Sequence, residues 1–177
     1  ATVAAGKAVF CEKPLGIDVS ASRELAHAVE ASGLPQAVNF VYGSAPAGEA
    51  IRRALEAGDL GAVAGADLRL HFAEWPRGWQ KNAAWLAGRE QGGFVREVVS
   101  HFVYLSQRLF GPAELLGASL RYPDDGAESH LVARLDCGGV PITIAGSVGG
   151  IGPDRVEFTV WGSQRSFRIT DWYKLAS

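Results

Sequence analysis

The chain has 177 residues, 47% of them hydrophobic and 20% charged, with 22 glycines, 8 prolines and a formal net charge of −2. That composition suits one generous globular domain, or one domain and part of another, and its charge balance points away from a nucleic-acid or membrane-surface partner. No apolar stretch approaches the roughly 18 residues of a membrane-spanning helix, and no basic region followed by a long apolar core marks a leader.

Cys11 and Cys137 lie far apart in apolar, strand-like runs and form no C-x-x-C, so they read as buried reduced thiols of a cytoplasmic protein. There is no methionine, even at position 1, which reads as an internal piece of a longer chain or a processed product.

In chain order, residues 1–8 read as the tail of a helix stopped at Gly6-Lys7, feeding a strand at 8–12. Residues 18–33 read as a helix, with Ser20 as N-cap, Leu25 and Val29 at i,i+4, and Gly33 as the stop. A short strand follows at 36–41. Helix tail, strand, helix, strand is the rhythm of a parallel α/β sheet.

The rhythm then changes. Residues 44–58 predict a helix with Pro46 in its first turn and Gly58 at its end. Residues 62–72 alternate as a strand, with Val63, Ala66, Leu68, Leu70 and Phe72 mostly on one side. Residues 74–89 are irregular and rich in tryptophan (Trp75, Trp79, Trp85), read as pinning a loop to the core or lining a pocket for a polyhydroxylated ring.

Residues 94–110 predict the longest helix, with an apolar stripe of Phe94, Val98, Phe102, Leu105 and Leu109. Strands are expected at 115–122, 130–137, 141–147, 156–161 and 166–169, separated by turn signals, as an antiparallel meander packed on that helix. The fold class is therefore α+β: the end of a parallel α/β domain over 1–41, then an antiparallel open sheet packed on helices over 42–177.

Helix 94–110 carries a second stripe, Glu97, His101, Tyr104 and Arg108. Glu97 and His101 stand a turn apart, close enough for the carboxylate to orient the imidazole and raise its basicity, as a general acid/base histidine needs. The same stripe also reads as a solvated face with an ordinary ion pair. Gly92-Gly93 just before it lets backbone or a ligand approach the helix start. G-x-G-x-x-G, G-x-x-x-x-G-K-[ST], H-E-x-x-H and G-x-S-x-G are all absent, and His27, His71 and His130 have no partners at metal-ligand spacing, so no metal is expected.

Glu12-Lys13-Pro14 after an apolar strand, and the GG-x-x-x-acid-x-x-x-His helix roughly 80 residues on, resemble the glucose–fructose oxidoreductase / inositol dehydrogenase family of NAD(P)-dependent oxidoreductases. "AIRRALEAGDLGAVAGADLRL" resembles the opening of that family's second domain, and "GGFVREVVSHFVYLSQRLFG" its long central helix. The resemblance implies a dihydrodipicolinate-reductase-like second domain and a chain that lacks most of the Rossmann-type dinucleotide-binding domain and is incomplete at its C-terminus too.

It further implies that Glu12, Lys13 and Pro14 bind the cofactor, NAD or NADP, with Lys13 at the junction of nicotinamide and substrate and Pro14 following a peptide that is often cis. His101 matches the family's catalytic histidine, and Glu97 takes the place of an aspartate four residues before it, one methylene longer. Many relatives carry an arginine near Gly43; this chain does not. The implied function is hydride transfer to or from a sugar, polyol or related hydroxy/keto compound. The implied partners are a small-molecule substrate and a second copy of the chain, docked through the sheet.

Two readings stand beside this one: a non-catalytic member or fragment acting through sheet-mediated protein contact, and a reductase of imine or tetrapyrrole substrates that does not use the histidine. The isolated chain is expected to be inactive and to bind NAD(P) weakly or not at all. The G-x-G-x-x-G phosphate loop, and the residue that chooses NAD or NADP, are expected before residue 1.

Overall fold

The computed structural model describes residues 2–177. They divide into two units, one running to Val41 and the other spanning Tyr42–Ser177. In the first, strand β1 (Val9–Glu12) and strand β2 (Gln36–Asn39) pair in parallel, with Glu12 opposite Asn39. Helix α1 (Val19–Ala31) makes the crossover that a parallel pair requires. Its N-cap is Asp18, not Ser20: the Asp18 carboxylate accepts from the Ala21 N–H at 2.7 Å, and Ser20 lies inside the first turn. A carboxylate at that point satisfies an orphan donor and also suits the positive end of the helix dipole.

A short 3-10 turn, Val3–Ala5, precedes β1 and stops at Gly6. This unit has no buried residue among those described, and Phe10 and Val19 stand 72% and 71% exposed.

The second unit opens with helix α2 (Pro46–Glu56), whose first turn holds Pro46, and continues into strand β3 (Val63–Phe72). After the tryptophan-rich loop come a π-helical turn (Val95–Val99), helix α3 (Ser100–Phe110), and strands β4 (Ala113–Arg121), β5 (His130–Cys137), β6 (Val140–Val148), β7 (Arg155–Gly162), β8 (Phe167–Thr170) and β9 (Lys174–Ala176).

The sheet order is β4-β5-β6-β3-β7-β8-β9. The expected meander is thus two meanders, β4-β5-β6 and β7-β8-β9, with β3 inserted between them. β3 pairs antiparallel with β7 but parallel with β6, Ala66 to Phe72 against Ile142 to Val148. The sheet is therefore mostly, not wholly, antiparallel. The long connection through α3, β4 and β5 supplies the crossover that the parallel pair needs.

One face is the core. Leu68, Leu70 and Phe72 of β3, Ile142 and Ile144 of β6, and Phe158 and Val160 of β7 pack in one cluster with Ile51 of α2 and Phe102 and Leu105 of α3. Each such burial is worth about 1.5–3 kcal/mol relative to exposure. On the other face Val132 (57%) and Trp161 (41%) are exposed, and the Trp161 indole donates to Asp67 Oδ2 at 2.7 Å.

Candidate active site

In the first unit, the parallel register sets Glu12 and Asn39 side by side at the carboxyl ends of β1 and β2. Asn39 Nδ2 donates to Glu12 Oε1 at 3.0 Å. Lys13 follows directly, and the Lys13–Pro14 peptide is cis. The apolar strand therefore ends in a polar crest of Glu12, Lys13 and Asn39, on the edge of a parallel sheet where ligands bind in such folds.

In the second unit, the Glu97 and His101 stripe is set by what precedes it. Gly93 has φ +95°, and a Cβ there would lie closer than 3.0 Å to the Glu128 carboxylate; one on Gly92 would strike the Leu86 carbonyl. The glycine pair thus admits the chain's own backbone and a buried carboxylate. Glu128 accepts from the Val95 N–H at 2.6 Å, satisfying a donor at the start of the helix. Burial pushes the Glu128 carboxyl above its usual range, against the lowering effect of that hydrogen bond.

The helix expected over 94–110 begins as a π-turn: the Ser100 N–H bonds to Val95 O, five residues back. Such turns are rare and concentrate at functional sites. His101 is 9% exposed, its ring 5.5 Å from that of Tyr42 in an edge-on arrangement. Tyr42 is 1% exposed, stacks on Tyr173 at 5.4 Å, and its hydroxyl lies beside that phenol without hydrogen-bonding geometry. Burial first, and then Tyr173, push the Tyr42 phenol above the ordinary tyrosine range.

Gly43 has a structural counterpart in Tyr104. A Cβ at 43 would lie 2.6 Å from Tyr104 Cε1. Tyr104, one turn beyond His101, fills the space that a side chain at 43 would need.

The tryptophan loop divides by role. Trp75 pins it to the core: the indole N–H donates to Leu86 O at 2.9 Å and the ring packs on Phe72 and Phe94. Trp79 and Trp85 are 75% and 52% exposed. Buried Gln80 bridges two charges, accepting from Arg77 Nε at 3.0 Å through Oε1 and donating to Glu97 Oε1 at 3.4 Å through Nε2.

The structure places Glu12, Lys13 and Pro14 on the first unit and Glu97 and His101 on the second. The residues that sequence reasoning missed are Tyr42, Arg77, Gln80 and Glu128. Only Arg77, flanked by aromatics in W-P-R-G-W, left a local signal. Among the described residues no group of three or more His, Cys, Asp or Glu stands together as a metal site, and no helix is long and apolar enough to cross a membrane.

A parallel strand pair crossed by one helix, followed by a mixed, mostly antiparallel sheet packed on helices, defines an α+β chain whose first unit is a Rossmann-type strand-helix-strand piece. Residues 49–168 match the GFO/IDH/MocA C-terminal domain, and the chain belongs to that family. It is 32% identical over 123 residues to an uncharacterised oxidoreductase of Synechocystis sp., covering 67% of this chain and 32% of that protein. It is 31% identical over 109 residues to trans-1,2-dihydrobenzene-1,2-diol dehydrogenase of Macaca fuscata fuscata, covering 62% of this chain and 31% of that one. The chain thus spans about a third of the length of these relatives.

Among solved structures it resembles the WlbA dehydrogenase of Bordetella pertussis in complex with NADH and UDP-GlcNAcA, with a TM-score of 0.81 and 21% identity over 99% of this chain and 56% of that one. It also resembles myo-inositol 2-dehydrogenase of Lactobacillus plantarum, with a TM-score of 0.76 and 23% identity over 95% of this chain and 52% of that one. At these identities the likeness is one of fold.

Proposed function

We propose that the chain serves an NAD(P)-dependent oxidoreductase acting on a sugar, polyol or related hydroxy/keto compound. The observation that carries this is that a member of this family holds both Glu12-Lys13 on a parallel strand end of its first unit and Glu97 with His101 on a helix of its second that starts in a π-turn.

The Glu12, Lys13 and Asn39 crest suits the rim of a nicotinamide site, because it offers a carboxylate, an ammonium and an amide at the strand ends. Hydride donation or acceptance is the chemistry that a bound nicotinamide supplies. Lys13 places positive charge against an alkoxide developing on the substrate oxygen. His101 takes the hydroxyl proton or returns it, and Glu97, held by Gln80, orients the histidine. The 177 residues contain no glycine-rich phosphate loop, so NAD(P) is expected to bind this chain alone weakly, and the chain alone to be inactive.

The open face of the sheet, with Val132 and Trp161 exposed, is proposed as the contact between two copies. Light scattering of the chain against Val132→Glu tests this: a monomeric parent at high concentration would exclude it.

The deciding experiment expresses the complete reading frame and measures turnover of polyols and sugars with Lys13→Ala and His101→Ala. Each is expected to lower kcat/KM by about 10²–10⁴. Full activity in both variants would remove these residues from the reaction. Loss in Lys13→Ala with His101→Ala unharmed would favour the imine or tetrapyrrole reductase reading.

A further inference from the structure

Arg77 stands in an unusual setting. Its guanidinium carbon lies 4.8 Å from the Trp79 ring centroid, 4.9 Å from Trp172, 5.4 Å from Phe72 and 5.6 Å from Trp75. It makes no ion pair among the described residues. Its one side-chain hydrogen bond goes from Nε to Gln80 Oε1.

A guanidinium carries five N–H donors, and this one spends a single donor within the chain. The aromatic rings occupy its surroundings as cation–π partners, but they accept nothing from the in-plane donors of its terminal nitrogens. A cation partly withdrawn from water is a costly way to pin a loop that Trp75 already pins by its indole hydrogen bond and ring packing. What the arrangement suits is an anion taken edge-on by the terminal nitrogens, the geometry in which arginine binds a carboxylate with two parallel hydrogen bonds.

Charge narrows the class. Glu97 and Asp154 both act on Arg77 from a distance. A single guanidinium in the field of two carboxylates accommodates one further negative charge better than the two of a phosphate. Trp79 is largely exposed even with the guanidinium over its ring, so the rest of the indole offers a surface for the C–H face of a ring or polyol chain. The same loop reaches Glu97 through Gln80, so a ligand held by Arg77 lies on the element that holds the acid of the proposed chemistry.

We propose that Arg77 is the specificity-determining residue of the second unit: it binds the carboxylate of a sugar acid or similar polyhydroxy acid whose carbon skeleton packs on the Trp79 indole. The inference rests on the oxidoreductase reading only in calling that acid the substrate; the binding itself stands apart from turnover.

The test follows tryptophan fluorescence of the protein, with and without NAD⁺, while titrating D-glucuronate and D-galacturonate against their neutral amides. At least one acid is expected to give a saturable change, with its amide about tenfold weaker or more, the usual scale for losing a charge-assisted bidentate contact. Arg77→Met, which keeps an apolar stem against the rings, is expected to erase the difference; Arg77→Lys, with charge but no fork, is expected to keep part of it. Circular dichroism melts of both variants establish that they fold, and the parent's preference for acid over amide needs no variant at all.

Acid and amide titrating alike, no saturable change with either acid, or an Arg77→Met variant that keeps the preference would each overturn the assignment. Saturable acid binding without hydride transfer to any substrate would sink the oxidoreductase reading and leave this one standing. Turnover of neutral polyols by a protein indifferent to acids would do the reverse.

Discussion

Gly93→Ala perturbs the one point where a glycine, a buried carboxylate and the start of the site helix meet. Two costs combine. The backbone at 93 has φ +95°, where an L-residue is strained by about 1–2 kcal/mol. The new methyl would also sit closer than 3.0 Å to the Glu128 carboxylate, forcing it off the Val95 N–H that it accepts from at 2.6 Å. Losing that cap and leaving a buried donor unmet costs a further ~1–3 kcal/mol.

Gly139→Ala provides the control. Its φ is +88°, and nothing lies within 4 Å of the Cβ it would gain, so only the strain applies. With about 2–4 °C per kcal/mol for a chain of this size, Gly139→Ala is expected to lower Tm by ~2–8 °C and Gly93→Ala by roughly twice as much. The assay is thermal denaturation followed by circular dichroism. In the complete protein Gly93→Ala should also lower kcat, because the π-turn carrying Glu97 is anchored by the displaced carboxylate. Equal Tm values for the two variants would refute the capping argument.

Glu128→Gln keeps an acceptor for Val95 and removes a charge that burial disfavours. Since burial raises the Glu128 carboxyl above its ordinary 4.5, the folded chain holds more protons than the unfolded one above that pH. The Glu128 contribution to stability therefore falls as pH rises through the interval between 4.5 and the raised value. Comparing parent and Glu128→Gln melts across pH 4–8 should show that slope only in the parent, and a parallel pair of curves counts against it. Asp18→Ala removes the α1 cap and should cost about 1 kcal/mol, read as lost helicity on heating, whereas Ser20→Ala should leave it nearly unchanged. Tyr42→Phe deletes a buried hydroxyl that makes no hydrogen bond, so it should leave stability equal or up to about 1 kcal/mol higher in denaturant titrations; a clear loss would mean that the hydroxyl has a partner.

Much of the element order is legible from periodicity. β3 reads as a strand because Ala66, Leu68, Leu70 and Phe72 alternate, and all four are buried. α2 is bounded by Pro46 and Gly58, which act through their own fixed or permitted φ. β9, only three residues long at Lys174–Ala176, left no pattern to find. For α1, Ser20 reads as the cap from its type alone, and that Asp18 caps instead depends on where the backbone turns extended.

Among the candidate residues of each unit, the sequence by itself determined the residue types: the charged strand end at Glu12-Lys13 in the first, and the acid and histidine at 97 and 101 with the glycine pair before them in the second. These are local signals, carried by spacing along one strand or one helix. Tertiary structure alone decided that β3 lies between β6 and β7, because a period of two assigns faces and not neighbours. It alone decided that the glycine pair makes room for Glu128, some 35 residues later, and that Gly43 makes room for Tyr104. The π-turn under Glu97 and the Trp172 ring beside Arg77 are of the same kind. Each depends on contacts between segments far apart in the chain, and such contacts leave no periodic trace in either segment.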